Sequence, residues 1–165
     1  MPTIALGWST HTHHHPANQW LPGKQFATCA QTQLAFLRLS THPKLPYRAT
    51  MQDARTTLRS ILAKGEHAFW EMDLPPLDHQ PEARTHEELN DAYLLALVKN
   101  RAGRLATFDT GIPALAGADA ALVELLPSAP PPGRATSQLA MAEFTGRALS
   151  RRIPSFAFGL RGRRF

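Results

Sequence analysis

Residues 89 to 98, Leu-Asn-Asp-Ala-Tyr-Leu-Leu-Ala-Leu-Val, carry a helical pattern that is apolar on two sides. Leu89, Ala92, Tyr93, Ala96 and Leu97 follow the i, i+3, i+4, i+7, i+8 spacing of one buried face, while Leu94, Leu95 and Val98 make a second strip. A helix patterned this way packs on two sides. Asp91 precedes Leu94, Leu95 and Val98 on the second strip, so its carboxylate lies among apolar neighbours and requires a partner. Two starts fit: Thr85 with Glu88 makes a capping box, and Asn90 caps a shorter helix with Asp91 in its first turn. Complementing the helix dipole, worth about 0.3 to 1 kcal/mol, is the simplest role for Asp91.

A second acid follows closely. Arg101-Ala102-Gly103 reads as a turn, Arg104 to Phe108 as a short strand, and Asp109-Thr110-Gly111 leaves it directly. Asp109 would then stand at the carboxyl end of a strand, the edge at which open α/β sheets bind ligands. An Asp-Thr-Gly turn made for local hydrogen bonding is the alternative. Taken together, an acid on a buried helix strip and an acid ending the next strand point to metal-assisted phosphodiester hydrolysis as the first chemistry to test.

The rest of the chain alternates helix and strand, the signature of a parallel α/β sheet. Helices are expected near residues 3 to 8, 14 to 21, 31 to 39, 51 to 63, 86 to 99 and 111 to 116. Strands are expected near 26 to 29, 67 to 71, 104 to 108 and 121 to 125. A chain of 165 residues with 43% hydrophobic side chains suits one domain with a usable core. Its single cysteine, Cys29, excludes an internal disulfide, reads as a buried structural thiol and suits a reducing cytoplasm. No apolar run approaches the ~18 residues of a membrane span, and no signal-peptide pattern is present.

The net charge of +5 is unevenly placed. Residues 127 to 165 hold seven arginines against Glu143, or +6, which leaves eleven bases and twelve acids, or −1, in residues 1 to 126. Pro127 to Gly133, with Pro130-Pro131-Pro132, has linker composition. Beyond it, Thr136 to Leu149 fits one loose helix, and Ile153 to Phe165 interleaves arginines with Phe156, Phe158 and Phe165. Arginine with aromatics can grip single-stranded nucleic acid. A disordered basic extension is the plainer expectation for 127–165.

Three blocks in order, Ala27-Thr28-Cys29-Ala30-Gln31-Thr32-Gln33-Leu34-Ala35-Phe36-Leu37-Arg38-Leu39-Ser40, Asn90-Asp91-Ala92-Tyr93-Leu94-Leu95-Ala96-Leu97 and Leu105-Ala106-Thr107-Phe108-Asp109, resemble a PIN domain of the VapC toxin type. His11-Thr12-His13-His14, with Ala17 and Trp20-Leu21, resembles the stretch after the first helix of such toxins. The resemblance covers roughly residues 1 to 126. It implies a three-layer α/β/α, Rossmann-like fold around a parallel sheet, an acid cluster holding Mg²⁺ or Mn²⁺, ribonuclease activity, and a cognate antitoxin. Dimers are common in the family. On this resemblance Asp91 and Asp109 are the catalytic and metal-site acids, Thr107 is a polar neighbour at the strand end, and Thr32 and Gln33 are supporting polar groups.

The departures bear on activity. Members of the family usually begin with an apolar strand ending in Asp, followed at once by the first helix. Here Thr3-Ile4-Ala5-Leu6-Gly7-Trp8 looks like that helix already under way, so the strand and its acid are expected to be missing. That strand is central to the family's sheet, and its loss would expose the edges of two neighbours. Either the start lies upstream or the product is truncated. Gln33 stands where many PIN domains carry Glu, and it cannot supply negative charge. Glu87 and Glu88 read as solvated first-turn acids.

Mg²⁺ is commonly held by one or two carboxylates, with water and substrate phosphate completing its shell, so two acids suffice for weak binding. His11, His13, His14 and His15 invite a zinc reading, but further ligands are lacking and a polar loop or helix start is the default. Arg38 is a candidate phosphate contact on RNA, with a surface ion pair as the rival reading. Two functions remain: a Mg²⁺-dependent toxin ribonuclease, and a truncated PIN remnant that binds antitoxin or RNA without catalysis.

Overall fold

A computed structural model describes residues 2–78, 83–128 and 155–157. In chain order the elements are α1 (Pro2–Gly7), α2 (His14–Trp20), β1 (Gln25–Cys29), α3 (Ala30–Ser40), α4 (Met51–Leu62), β2 (Glu66–Trp70), α5 (Leu89–Asn100), β3 (Arg104–Thr107), α6 (Ile112–Ala116), a 3-10 helix (Gly117–Leu122), β4 (Val123–Leu125) and β5 (Ser155–Ala157). Among the described residues five strands form one sheet, in the order β2-β1-β5-β3-β4. Every pairing is parallel.

Successive strand residues point to opposite faces, and two cores follow from that alternation. Phe26 of β1 and Ala106 of β3 join Ile4, Leu6, Phe36, Leu58 and Ile61, which come from α1, α3 and α4. Their chain neighbours Ala27 and Leu105 join Leu94, Leu97 and Val98 of α5 and Ile112 of α6. Each face of the sheet therefore carries its own apolar core. The two-sided α5 buries Asp91 through Leu95, together with Leu97 and Val98. Leu89, expected on the buried face, is 42% exposed because it only opens the helix.

The structure selects neither of the two starts expected for α5. Glu88 occupies the N-cap position without a side-chain capping bond, and its carboxylate instead accepts the backbone N–H of Arg84 at 2.8 Å. The last strand of the body is shorter than the expected 121 to 125, because Gly117–Leu122 is wound into the 3-10 helix. A larger difference concerns the tail. Ser155–Ala157, expected to lie in a disordered extension, is a strand at the centre of the sheet, hydrogen-bonded to β1 on one side and β3 on the other. The exposed inner edges expected of those two neighbours are thereby covered. The helix expected over Thr136 to Leu149, and the arginine-aromatic run on either side of β5, lie outside the described residues.

Candidate functional site

Because the strands are parallel, their carboxyl ends share one edge, and the helices that follow them start there. The path from α5 to β3 returns the chain to that edge. Arg101 N–H donates to the Leu97 carbonyl at 3.0 Å and Gly103 N–H to the Val98 carbonyl at 2.8 Å, closing the helix through Ala102 at a left-handed φ of 50°. Counting back from the turn, α5 rises about 1.5 Å per residue and β3 advances about 3.3 Å per residue. The first turn of α5 and the residues after β3 thus come to similar heights, which brings Asp91 and Asp109 to the same end of the fold.

The two acids differ in setting. Asp91 is 1% exposed within the apolar first turns of α5. Asp109 is partly buried and built into a turn: its Oδ1 accepts the Gly111 N–H at 2.8 Å, and its own N–H donates to Thr107 Oγ1 at 3.0 Å. The local Asp-Thr-Gly turn raised as an alternative role is therefore formed, and it orients the carboxylate. Thr107, fully buried at the end of β3, holds the turn against the sheet. Phe108 is clamped from outside by His13, whose ring stacks on it at 4.4 Å between centroids and 9° between planes.

Thr32 and Gln33 are both engaged at the exit of β1. The buried Thr32 hydroxyl accepts the Cys29 N–H at 2.9 Å and donates to the Cys29 carbonyl at 2.5 Å, which fastens the start of α3. Gln33 donates from Nε2 to Thr28 Oγ1 at 2.9 Å, and that hydroxyl lies 2.8 Å from His67 Nε2. Burial holds His67 below the usual histidine range, which favours the neutral ring beside Thr28. Burial also pushes the Cys29 thiol up, away from a nucleophile's thiolate. Arg38 lines an open cavity of about 230 Å³ with Gln31, Leu34, Ala35 and Asn90, between α3 and the start of α5. Gln31 and Asn90 were not expected to line a cavity, and His67 carried no expectation of a role at the site. Only Asn90's place beside Asp91 offered a signal.

The histidines near α2 are used locally. His11 Nδ1 accepts the His13 N–H at 3.0 Å, and His14 Nδ1 lies 2.7 Å from the Ala5 carbonyl. Among the described residues no group of three or more His, Cys, Asp or Glu side chains is arranged to hold a metal ion. Asp91 and Asp109, the two acids expected to hold a cation, would offer it two carboxylates, within the one or two that Mg²⁺ commonly takes from a protein. Glu87 and Glu88, expected as solvated first-turn acids, both precede α5: Glu87 is exposed ahead of the helix, and Glu88 is the half-buried N-cap residue that accepts the Arg84 N–H. No helix among the described residues is long and apolar enough to cross a membrane.

Comparison with known proteins gives a consistent set of relatives. The chain is 37% identical to ribonuclease VapC38 of Mycobacterium tuberculosis over 118 residues, which cover 68% of this chain and 84% of the relative. It is 31% identical to ribonuclease VapC39 of the same organism over 136 residues, covering 74% and 93% of the two chains. Ribonuclease VapC44, also of M. tuberculosis, is 33% identical over 116 residues, with 66% and 82% covered. No family model matches the sequence, and no solved structure matches it.

Proposed function

The chain belongs to the VapC-type PIN-domain family, and we propose that it acts as a metal-dependent endoribonuclease, the toxin of a toxin–antitoxin pair. The single observation that carries this reading is the burial of Asp91 in the first turn of α5, with Asp109 two residues beyond the end of β3 at Thr107. A three-layer α/β/α arrangement, with α1 to α4 on one face and α5 and α6 on the other, is the PIN architecture that fits the two cores.

In this account Asp91 and Asp109 hold Mg²⁺ or Mn²⁺. Such an ion, when bound, polarises a phosphate and lowers the pKa of a water in its shell. The protein's own contributions are positional. Thr107 fixes the turn that aims Asp109, and His13 packs Phe108 so that the turn cannot swing outward. Thr32 and Gln33 support the site at one remove, by fastening α3 and bracing β1. The exposed Arg38, beside Asn90 in the cavity, supplies a cation for RNA phosphate. Leu34, 65% exposed on the same rim, offers apolar surface for the antitoxin. Pairing as a homodimer belongs to the same proposal.

A second reading, a binding module without catalysis, is favoured by one feature: among the described residues the site has two acids and no third ligand beside them. Incubating the full chain with single-stranded RNA, with Mg²⁺, with Mn²⁺ or with EDTA, separates the two. Cleavage that EDTA abolishes supports the ribonuclease. RNA retained on a filter but left intact in either metal supports the binding module.

A further inference from the structure

The central strand of the sheet comes from the part of the chain farthest from it in sequence. β1 and β3 do not pair with each other; β5 lies between them, with Phe26 and Ala27 opposite Ser155 and Phe156, and with Arg104, Leu105 and Ala106 opposite Ser155, Phe156 and Ala157. Without β5 the sheet would fall into two pairs, β2 with β1 and β3 with β4, each with an open inner edge. Those edges run through the interior, since Phe26 and Ala27 are 1% exposed and Leu105 and Ala106 are not exposed at all. Backbone groups left unpaired there would be buried without hydrogen-bond partners, which folded proteins avoid.

The space between the half-sheets is set by packing on both faces. One core joins Phe26 of β1 to Ala106 of β3, and the other joins Ala27 and Cys29 of β1 to Leu105 of β3. Two strands bridged in this way around one intervening strand stand about 9.5 Å apart, twice the normal spacing, which admits one strand and no more. The occupant is joined to β4 by a long stretch of sequence. Residues 126 to 154 separate β4 from β5, far more than the dozen or so that a parallel crossover needs. Its hold therefore comes from the ladder on both sides and not from a short connection.

We propose that the slot between β1 and β3 is a strand-acceptor site, and that the carboxyl-terminal segment of this chain fills it by strand complementation that survives loss of the covalent link. The segment is then a structural part of the domain and not an appendage. The proposal stands whether or not the chain cleaves RNA.

The test keeps the whole chain. A protease site replaces Pro130-Pro131-Pro132, the purified protein is cut there, and the products are passed through gel filtration in 1 M NaCl, so that the arginines of the tail cannot hold it by charge alone. Retention of the tail fragment with the body in one-to-one ratio is the expected result. Elution of the tail apart from the body would overturn the proposal. Phe156→Pro removes the N–H at the middle of β5 and clashes with the ladder. In the uncut variant, amide exchange along β1 and β3 should speed up by at least tenfold relative to α4. Exchange unchanged at both strands would equally overturn it.

Discussion

His13 lies flat on Phe108, with ring centroids 4.4 Å apart and planes inclined by 9°. The contact ties the segment before α2 to the residue that precedes Asp109, across a gap of some hundred positions in sequence. His13 is held below the normal histidine range, first by burial, so the stacked ring is neutral at pH 7. The stack is therefore an aromatic clamp and not a cation over a ring. If its role is to position the Asp109 turn, His13→Phe keeps RNA cleavage within about threefold of the parent, whereas His13→Ala lowers kcat by about tenfold or more with little change in KM. Steady-state kinetics on the two variants provide the check.

Thr28 links Gln33 to His67 inside the domain. Thr28→Val keeps the shape and removes the hydroxyl, leaving the Gln33 amide and the His67 ring without that partner. Unfolding in urea should show a loss of about 1 to 3 kcal/mol. A variant as stable as the parent would mean that water replaces the hydroxyl at no cost.

Ala102 adopts a left-handed φ of 50° where α5 turns into β3. A Cβ in that region costs about 1 to 2 kcal/mol, part of which glycine returns through the entropy of the unfolded chain. Ala102→Gly should therefore stabilise the protein by about 0.5 to 1 kcal/mol, read as a higher urea midpoint at unchanged slope. Destabilisation would contradict the strain assigned to this turn.

Stability should also fall in mild acid. Burial, followed by nearby positive charge, lowers His11 to about 4, and its Nδ1 accepts the His13 N–H and must stay unprotonated to do so. The unfolded chain takes up this proton near pH 6.5 while the folded protein refuses it until about pH 4. Stability is thus full above pH 6.5, declines as pH falls between these values, and levels off below them. His11→Gln should flatten part of that decline in urea titrations at pH 7.5, 6 and 5, with His13 and His67, also lowered, accounting for the remainder.

Much of the fold was legible because apolar periodicity and turn residues agree along residues 1 to 126. The double-sided strip of Leu89 to Val98 implied cover from two directions, and the two cores provide it. The start of α5 was not legible, since Thr85, Glu88 and Asn90 all have capping chemistry and only tertiary contacts decide among them. The role of Ser155–Ala157 was hidden for a different reason. Three residues in an arginine-rich tail carry no periodicity, and their pairing with β1 and β3 is wholly non-local. At the site, Asp91 and Asp109 stood out from local pattern alone. Gln33 was reached only through the family resemblance, and its hydrogen bond to Thr28 joins α3 to β1, a contact that local pattern does not reveal.

The central claim is that Asp91 and Asp109 act as one metal-binding pair in RNA cleavage. Its most direct measurement is the rate of RNA cleavage by the full chain in Mg²⁺ for the parent, Asp91→Asn and Asp109→Asn, with folding of each variant verified by circular dichroism. The account predicts cleavage by the parent and a loss of about 10²-fold or more in each variant. Cleavage by either folded variant at the parent's rate, or none by the parent, would contradict it.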